Sequence, residues 1–175
     1  MSRAIRFAPL ALLFLIIAAL VWRLATPTDS KVPSKLEGKP LPAFDLGAAL
    51  ETKAALSSRD LADGRPHLLN IFASWCVPCI SEVKVLQRLK ARGVLIDGIA
   101  IRDRPEEVAA FLARNGDPYE RIGDDPQSAV QISLGSSGVP ESFVIDGKGI
   151  VRYQHIGPIE PDDLPTIMQK MEQAR

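Results

Sequence analysis

The chain holds two cysteines, and they stand three residues apart in Trp75-Cys76-Val77-Pro78-Cys79. Thiols at this spacing serve disulfide exchange, half of a zinc site, or haem attachment. Zinc usually takes four ligands, and the two histidines, His67 and His155, are remote in sequence. Haem attachment needs His directly after the second Cys, and Ile80 stands there. Exchange is the chemistry that remains. It requires a thiolate, because the neutral thiol is a poor nucleophile.

The flanking sequence says how such an anion is made. An apolar run, Leu68-Leu69-Asn70-Ile71-Phe72-Ala73, precedes the motif, and a stretch with helical character, Ile80 to Ala91, follows it. A strand therefore runs into the Cys-x-x-Cys loop, which opens a helix. A cysteine at a helix start meets unpaired N–H groups and the positive end of the helix dipole. Cys76 takes that edge and is assigned the attack. Cys79 lies one turn further on the same face, a spacing that lets the two sulfurs bond with little backbone movement. It resolves the mixed disulfide by attacking Cys76. Pro78 suits the first helical turn, where its missing N–H costs little. Val77 completes the active-site loop, and Trp75 shields one side of the pair.

The 175 residues fit one domain plus appendages. Hydrophobic residues make up 46%, enough for a sizeable core. A net charge of zero argues against nucleic acid as a partner. The sequence has neither a GxGxxG pattern nor a P-loop, so no nucleotide or other cofactor is indicated. Residues 1–25 carry Arg3, Arg6 and Arg23 and no acid, and Phe7 to Trp22 is apolar throughout apart from Pro9. This reads as a bacterial export signal, either cleaved or, as its length and flanks favour, kept as a signal-anchor segment with its basic flank in the cytoplasm. Residues 26–42, with four prolines among polar residues, read as a periplasmic tether. Residues 43–175 form the folded domain.

Within that domain, Phe44 to Leu56 suggests a small strand or hairpin, and Ser57 or Ser58 a cap for a brief helix through Leu61. His67 to Ala73 is a buried strand. The helix after the motif, Cys79 to Arg92, turns Ile80, Val83, Leu86 and Leu89 inward, and Gly93 ends it. Val94 to Ile101 is a second buried strand. A helix starts near Pro105 and ends at Asn115-Gly116. Pro118 to Asp125 reads as loop and Pro126 to Leu134 as a short helix. Ser142 to Ile145 and Ile150 to His155 are strands joined by the turn Asp146-Gly147-Lys148-Gly149. Asp162 or Asp163 caps a final helix through Met171. The order β–α–β–α then β–β–α implies parallel strands with right-handed crossovers followed by an antiparallel hairpin.

Trp-Cys-x-Pro-Cys after a buried strand, with Val139-Pro140 before a later one, resembles the thioredoxin fold, an α/β class with a central mixed sheet flanked by helices. The resemblance covers about residues 40 to 172. Gly138 to Asp146, Gly149-Ile150-Val151-Arg152-Tyr153 and Asn115-Gly116-Asp117-Pro118-Tyr119 resemble the membrane-anchored DsbE/CcmG type. That resemblance implies a single-pass inner-membrane protein with its catalytic domain in the periplasm. It implies a thiol:disulfide oxidoreductase that reduces apocytochrome c, or another thiol protein of cytochrome c maturation. Recharging would come from an inner-membrane electron donor of the DsbD/CcdA type.

The resemblance also assigns residues. It makes Pro140 a cis-proline, which on its own residues reads as an ordinary trans turn, and leaves the Val139 backbone to pair with an extended substrate beside Cys76 and Trp75. Asn70 stands where thioredoxin has a buried aspartate, and an amide cannot take a proton. Glu82, three residues beyond Cys79, matches the acid that accepts the Cys79 proton; the alternative is a solvated helix carboxylate. Glu141 matches an acidic groove residue that tunes sulfur acidity or contacts substrate, or is simply exposed. Two other functions stay open: a general periplasmic thiol reductase, and a non-catalytic tethered binding module with a stapling disulfide. A staple closing so small a loop constrains little of the unfolded chain.

Overall fold

The computed structural model describes residues 3–25 and 36–175. It has two compact units, which split between Pro33 and Ser34. The first contains one helix, α1 (Arg3–Ala25). Its described side chains, Leu12 to Arg23, are all exposed. Among the described residues no helix is long and apolar enough to cross a membrane.

The second unit is built on a five-stranded sheet. Its strands are β3 (His67–Phe72), β4 (Leu95–Ile101), β5 (Ile122–Asp125), β6 (Glu141–Ile145) and β7 (Val151–Ile156), in the order β5-β4-β3-β6-β7. β3, β4 and β5 are parallel, and β6 and β7 return antiparallel. Every residue of β3 is buried, as a central strand requires. Helices α2 (Val77–Ala91), α3 (Pro105–Asn115), α4 (Ala129–Ser133) and α5 (Leu164–Gln173) flank the sheet. This is the α/β mixed-sheet architecture that the motif order implied.

Four local expectations are corrected. Pro118 to Asp125 is not all loop, because Ile122–Asp125 pairs in parallel with β4. Its two aspartates and one glycine hid a strand whose outer side is covered by the chain itself. That cover is a small hairpin of β1 (Asp45–Leu46) and β2 (Leu56–Ser57). The N–H groups of Ile122 and Asp124 donate to Ala54 and Gly47, and Ala49 N–H donates to the Ile122 carbonyl.

The helix expected after Ser57 is a turn. Asp60 accepts from both the backbone N–H and the hydroxyl of Ser57, at 2.8 and 2.7 Å, and closes the chain before a helix can propagate. Ile80 is 42% exposed rather than inward, because the buried stripe of α2 runs through Cys79, Glu82, Val83, Leu86 and Leu89. The helix expected from Pro126 contracts to Ala129–Ser133, since Ser128 sits in the left-handed region at φ 56°.

Of the expected tether, residues 26–35 lie outside the described residues. Its last part is bonded to the hairpin: Gly38 and Leu41 donate to Val151 and Gly149 at 2.8 and 2.9 Å. In the β6–β7 turn, Asp146 accepts from Lys148 and Ile150 N–H, both at 2.9 Å, which pins the tight connection.

Candidate active site

β3 ends at Phe72, and two residues later the chain is caught. Asp103, just past β4, accepts from the Ser74 N–H at 2.5 Å and its hydroxyl at 2.7 Å. The Trp75 indole N–H donates to the Arg102 carbonyl at 3.2 Å. Arg102 holds a left-handed φ of 47°, a conformation that turns its carbonyl region out of the strand path. These bonds fix where the next residue falls, and Cys76 becomes the N-cap of α2.

Cys76 and Cys79 are disulfide-bonded, with Cα atoms 5.3 Å apart. The Cys79 N–H donates to Cys76 Sγ at 3.2 Å, so a first-turn donor is aimed at the sulfur. Pro78 lies in the first turn, as its lack of an N–H favours. The two cysteines are nearly covered, Cys76 at 4% and Cys79 at 2% exposure, yet their neighbours Trp75 and Val77 stand out at 55% and 74%. Trp75 and Val139 both line a groove of about 420 Å³ that Arg102, Ile132 and Ser137 also border. The Val139–Pro140 bond is cis.

Glu82 is buried at 1% exposure. One carboxylate oxygen accepts from the Asn70 amide at 3.2 Å and the other from the Ile159 N–H at 3.1 Å. Burial raises its pKa to about 7, against the two hydrogen bonds, which favour the charged form. A buried carboxyl with a pKa near neutrality thus sits one turn from Cys79. Glu141 is not on the groove surface: it is buried, its carboxylate accepting from Ser137 N–H at 3.0 Å and from the Gln154 amide. Its contact is with the 136–138 loop that borders the groove.

Sequence reasoning gave no role to Tyr119, which reaches this site. It is buried and its hydroxyl donates to Asn70 Oδ1 at 2.8 Å. The missed signal was Gly98 in the middle of a buried strand. A Cβ there would come within 2.9 Å of the Phe72 ring and 3.0 Å of the Tyr119 ring. Among the described residues no cluster of three or more His, Cys, Asp or Glu could hold a metal ion.

Such a site, a capping cysteine paired with a second one and backed by a buried acid, performs dithiol/disulfide exchange. The Redoxin family model matches residues 36–170. The chain belongs to the Redoxin family. It is 36% identical over 166 residues to the thiol:disulfide interchange protein DsbE of Escherichia coli K12, covering 92% of this chain and 89% of that protein. It is equally 36% identical to the thiol:disulfide interchange protein HelX of Rhodobacter capsulatus, over 93% and 92% of the two chains. A crystal structure of a Chlorobium tepidum protein described as thiol:disulfide interchange protein DsbE superposes at a TM-score of 0.60. It is 28% identical and covers 79% of this chain and 96% of that one. This Redoxin is a thiol:disulfide oxidoreductase, with Cys76 and Cys79 as its redox-active pair.

Proposed function

We propose that this oxidoreductase works as a periplasmic reductant of the haem-binding cysteines of apocytochrome c, held at the inner membrane by its N-terminal helix. The observation that carries the reading is the Cys76 sulfur at the head of α2, receiving the Cys79 N–H and following directly on Trp75, which lines a groove with Val139. The reduced pair starts the cycle. Cys76 thiolate attacks one sulfur of the substrate disulfide; the second substrate sulfur leaves as a thiolate and takes a proton from water. Cys79 then passes its proton to Glu82 and attacks Cys76. The Cys76–substrate bond breaks, the Cys76–Cys79 disulfide forms, and the substrate has gained two electrons. An extended substrate pairs with the Val139 backbone while this occurs.

The periplasm is oxidising, so the pair must be recharged. An inner-membrane donor of the DsbD/CcdA type fits that need. The apolar run Phe7 to Trp22 after Arg3 and Arg6 supports an anchor with its basic flank in the cytoplasm, and the four prolines among the polar residues of 26–42 support a tether. The DsbE and HelX relatives support the cytochrome c role.

The test is Cys76→Ser in the producing cell. Holocytochrome c is lost and added dithiothreitol restores it; normal cytochrome levels in the mutant would refute the role. A Cys79→Ser variant separates this reading from a general reductase, because it accumulates mixed disulfides through Cys76 whose partner mass spectrometry identifies.

A further inference from the structure

Three neighbouring strands put Ser142, Asn70 and Gly98 in one row. Asn70 lies opposite Ser142 of β6 and opposite Gly98 of β4, so their side-chain positions share one face. Gly98 has no side chain, and the Tyr119 ring occupies the space over it, stacked on Phe72 with centroids 4.6 Å apart. From there the phenol reaches along the row to Asn70.

The Asn70 amide has two ends, and each is spoken for. Its carbonyl oxygen accepts from Tyr119. Its NH2 group donates to Ser142 Oγ at 2.9 Å and to Glu82 at 3.2 Å. A carboxylate cannot donate to an amide oxygen, so an ionised Glu82 requires the NH2 end toward it. A phenol can either donate or accept, but with the NH2 end turned to Glu82 only donation is left. Burial keeps the Tyr119 phenol protonated well above its ordinary range, so the donor is present at every working pH.

We infer that Tyr119 is a positioning residue for the exchange reaction: its hydroxyl locks the Asn70 amide in the orientation that presents a donor to Glu82, and so sets how readily Glu82 takes the Cys79 proton. The inference rests on the reading of Glu82 as that acceptor. Other groups around the pair are few. Cys79 is one turn back on α2, the Ile159 N–H holds the second Glu82 oxygen, and Asp117 faces the phenol from its own loop, paired to Lys53 at 2.7 Å. Lys53 also donates to the Tyr119 carbonyl, which fixes the loop that carries the ring.

Without the hydroxyl, the Asn70 oxygen is a buried acceptor with no donor, and turning the amide over offers it a proton from neutral Glu82. Tyr119→Phe therefore stabilises the protonated acid. The experiment is a titration of the Glu82 carboxyl by carbon NMR in the oxidised full chain. In Tyr119→Phe the midpoint rises by about one pH unit, while Ser142→Ala, which leaves the Tyr119–Asn70 bond in place, moves it much less. An unmoved midpoint in Tyr119→Phe, or equal movement in both variants, overturns the inference.

The unaltered protein gives a second check that needs no variant. The Asn70 side-chain amide protons must titrate together with Glu82, and their independence would also overturn it. The pH profile of disulfide exchange then separates the two readings. If the NMR midpoint rises but the rate profile does not, Tyr119 orients the amide as inferred and Glu82 is not the acceptor.

Discussion

The backbone N–H of Cys79 points at the sulfur of Cys76 across 3.2 Å. The residue proposed to resolve the reaction thus also donates to the atom proposed to begin it. In the reduced protein the same N–H and the head of α2 favour a Cys76 anion, while Cys79, covered to 2%, has no such placement. Iodoacetamide at pH 7 is expected to modify Cys76 at least about tenfold faster than Cys79. Mass mapping after short exposure checks this, and equal labelling would remove the assignment of Cys76 as nucleophile.

Glu82 makes stability depend on pH. Its folded pKa, about 7, lies above the ordinary 4.5 because burial disfavours the charge. The fold therefore binds this proton more tightly than the unfolded chain does. The associated stability is fully present below about pH 4.5 and is lost as pH rises through 7. Glu82→Gln lacks this dependence. Its stability relative to the parent should improve between pH 4.5 and 8 by on the order of 3 kcal/mol. Denaturant unfolding of both oxidised proteins at the two pH values measures it; a constant difference would mean that Glu82 is not so perturbed.

Gly98 holds the aromatic stack open. A methyl group there meets Phe72 and Tyr119 ring atoms at 2.9 and 3.0 Å, too close for either ring to stay. Gly98→Ala is expected to destabilise the domain by about 1–3 kcal/mol. Thermal unfolding reads that loss, and near-ultraviolet circular dichroism reads displacement of the tyrosine.

Two apolar residues six apart on α2 should behave oppositely. Leu86 is fully buried and Leu86→Ala is expected to cost about 2–5 kcal/mol. Ile80 faces solvent, and Ile80→Ser should stay within about 0.5 kcal/mol. Urea unfolding midpoints test both.

What could be read in the sequence was whatever is local. The Cys-x-x-Cys loop, the strand before it and the helix after it follow from a few contiguous residues, and the helix start at Val77 came with Pro78 in its first turn. The family resemblance pointed to Glu82, but a solvated carboxylate stayed open until the fold showed it buried. Its partners were not legible, since Ile159 lies 77 residues away and Asn70 meets Ser142 across 72. β5 escaped notice because Gly123, Asp124 and Asp125 lack the apolar alternation of a strand, and its pairing is supplied by β4 and the 47–54 segment. Glu141 looked like a surface acid beside the groove; its burial is decided by Ser137 and Gln154, the latter on the neighbouring β7. Tyr119 became meaningful only once sheet register set Gly98 beside Asn70.

The short hairpin over β5 has a consequence for how the molecule meets other chains. Ile122 and Asp124 have already spent their outward amide groups on Ala54 and Gly47. A stray chain therefore finds no template along that flank. Ribbon-like stacking of successive molecules needs two open borders, and this molecule has closed one of them with its own backbone.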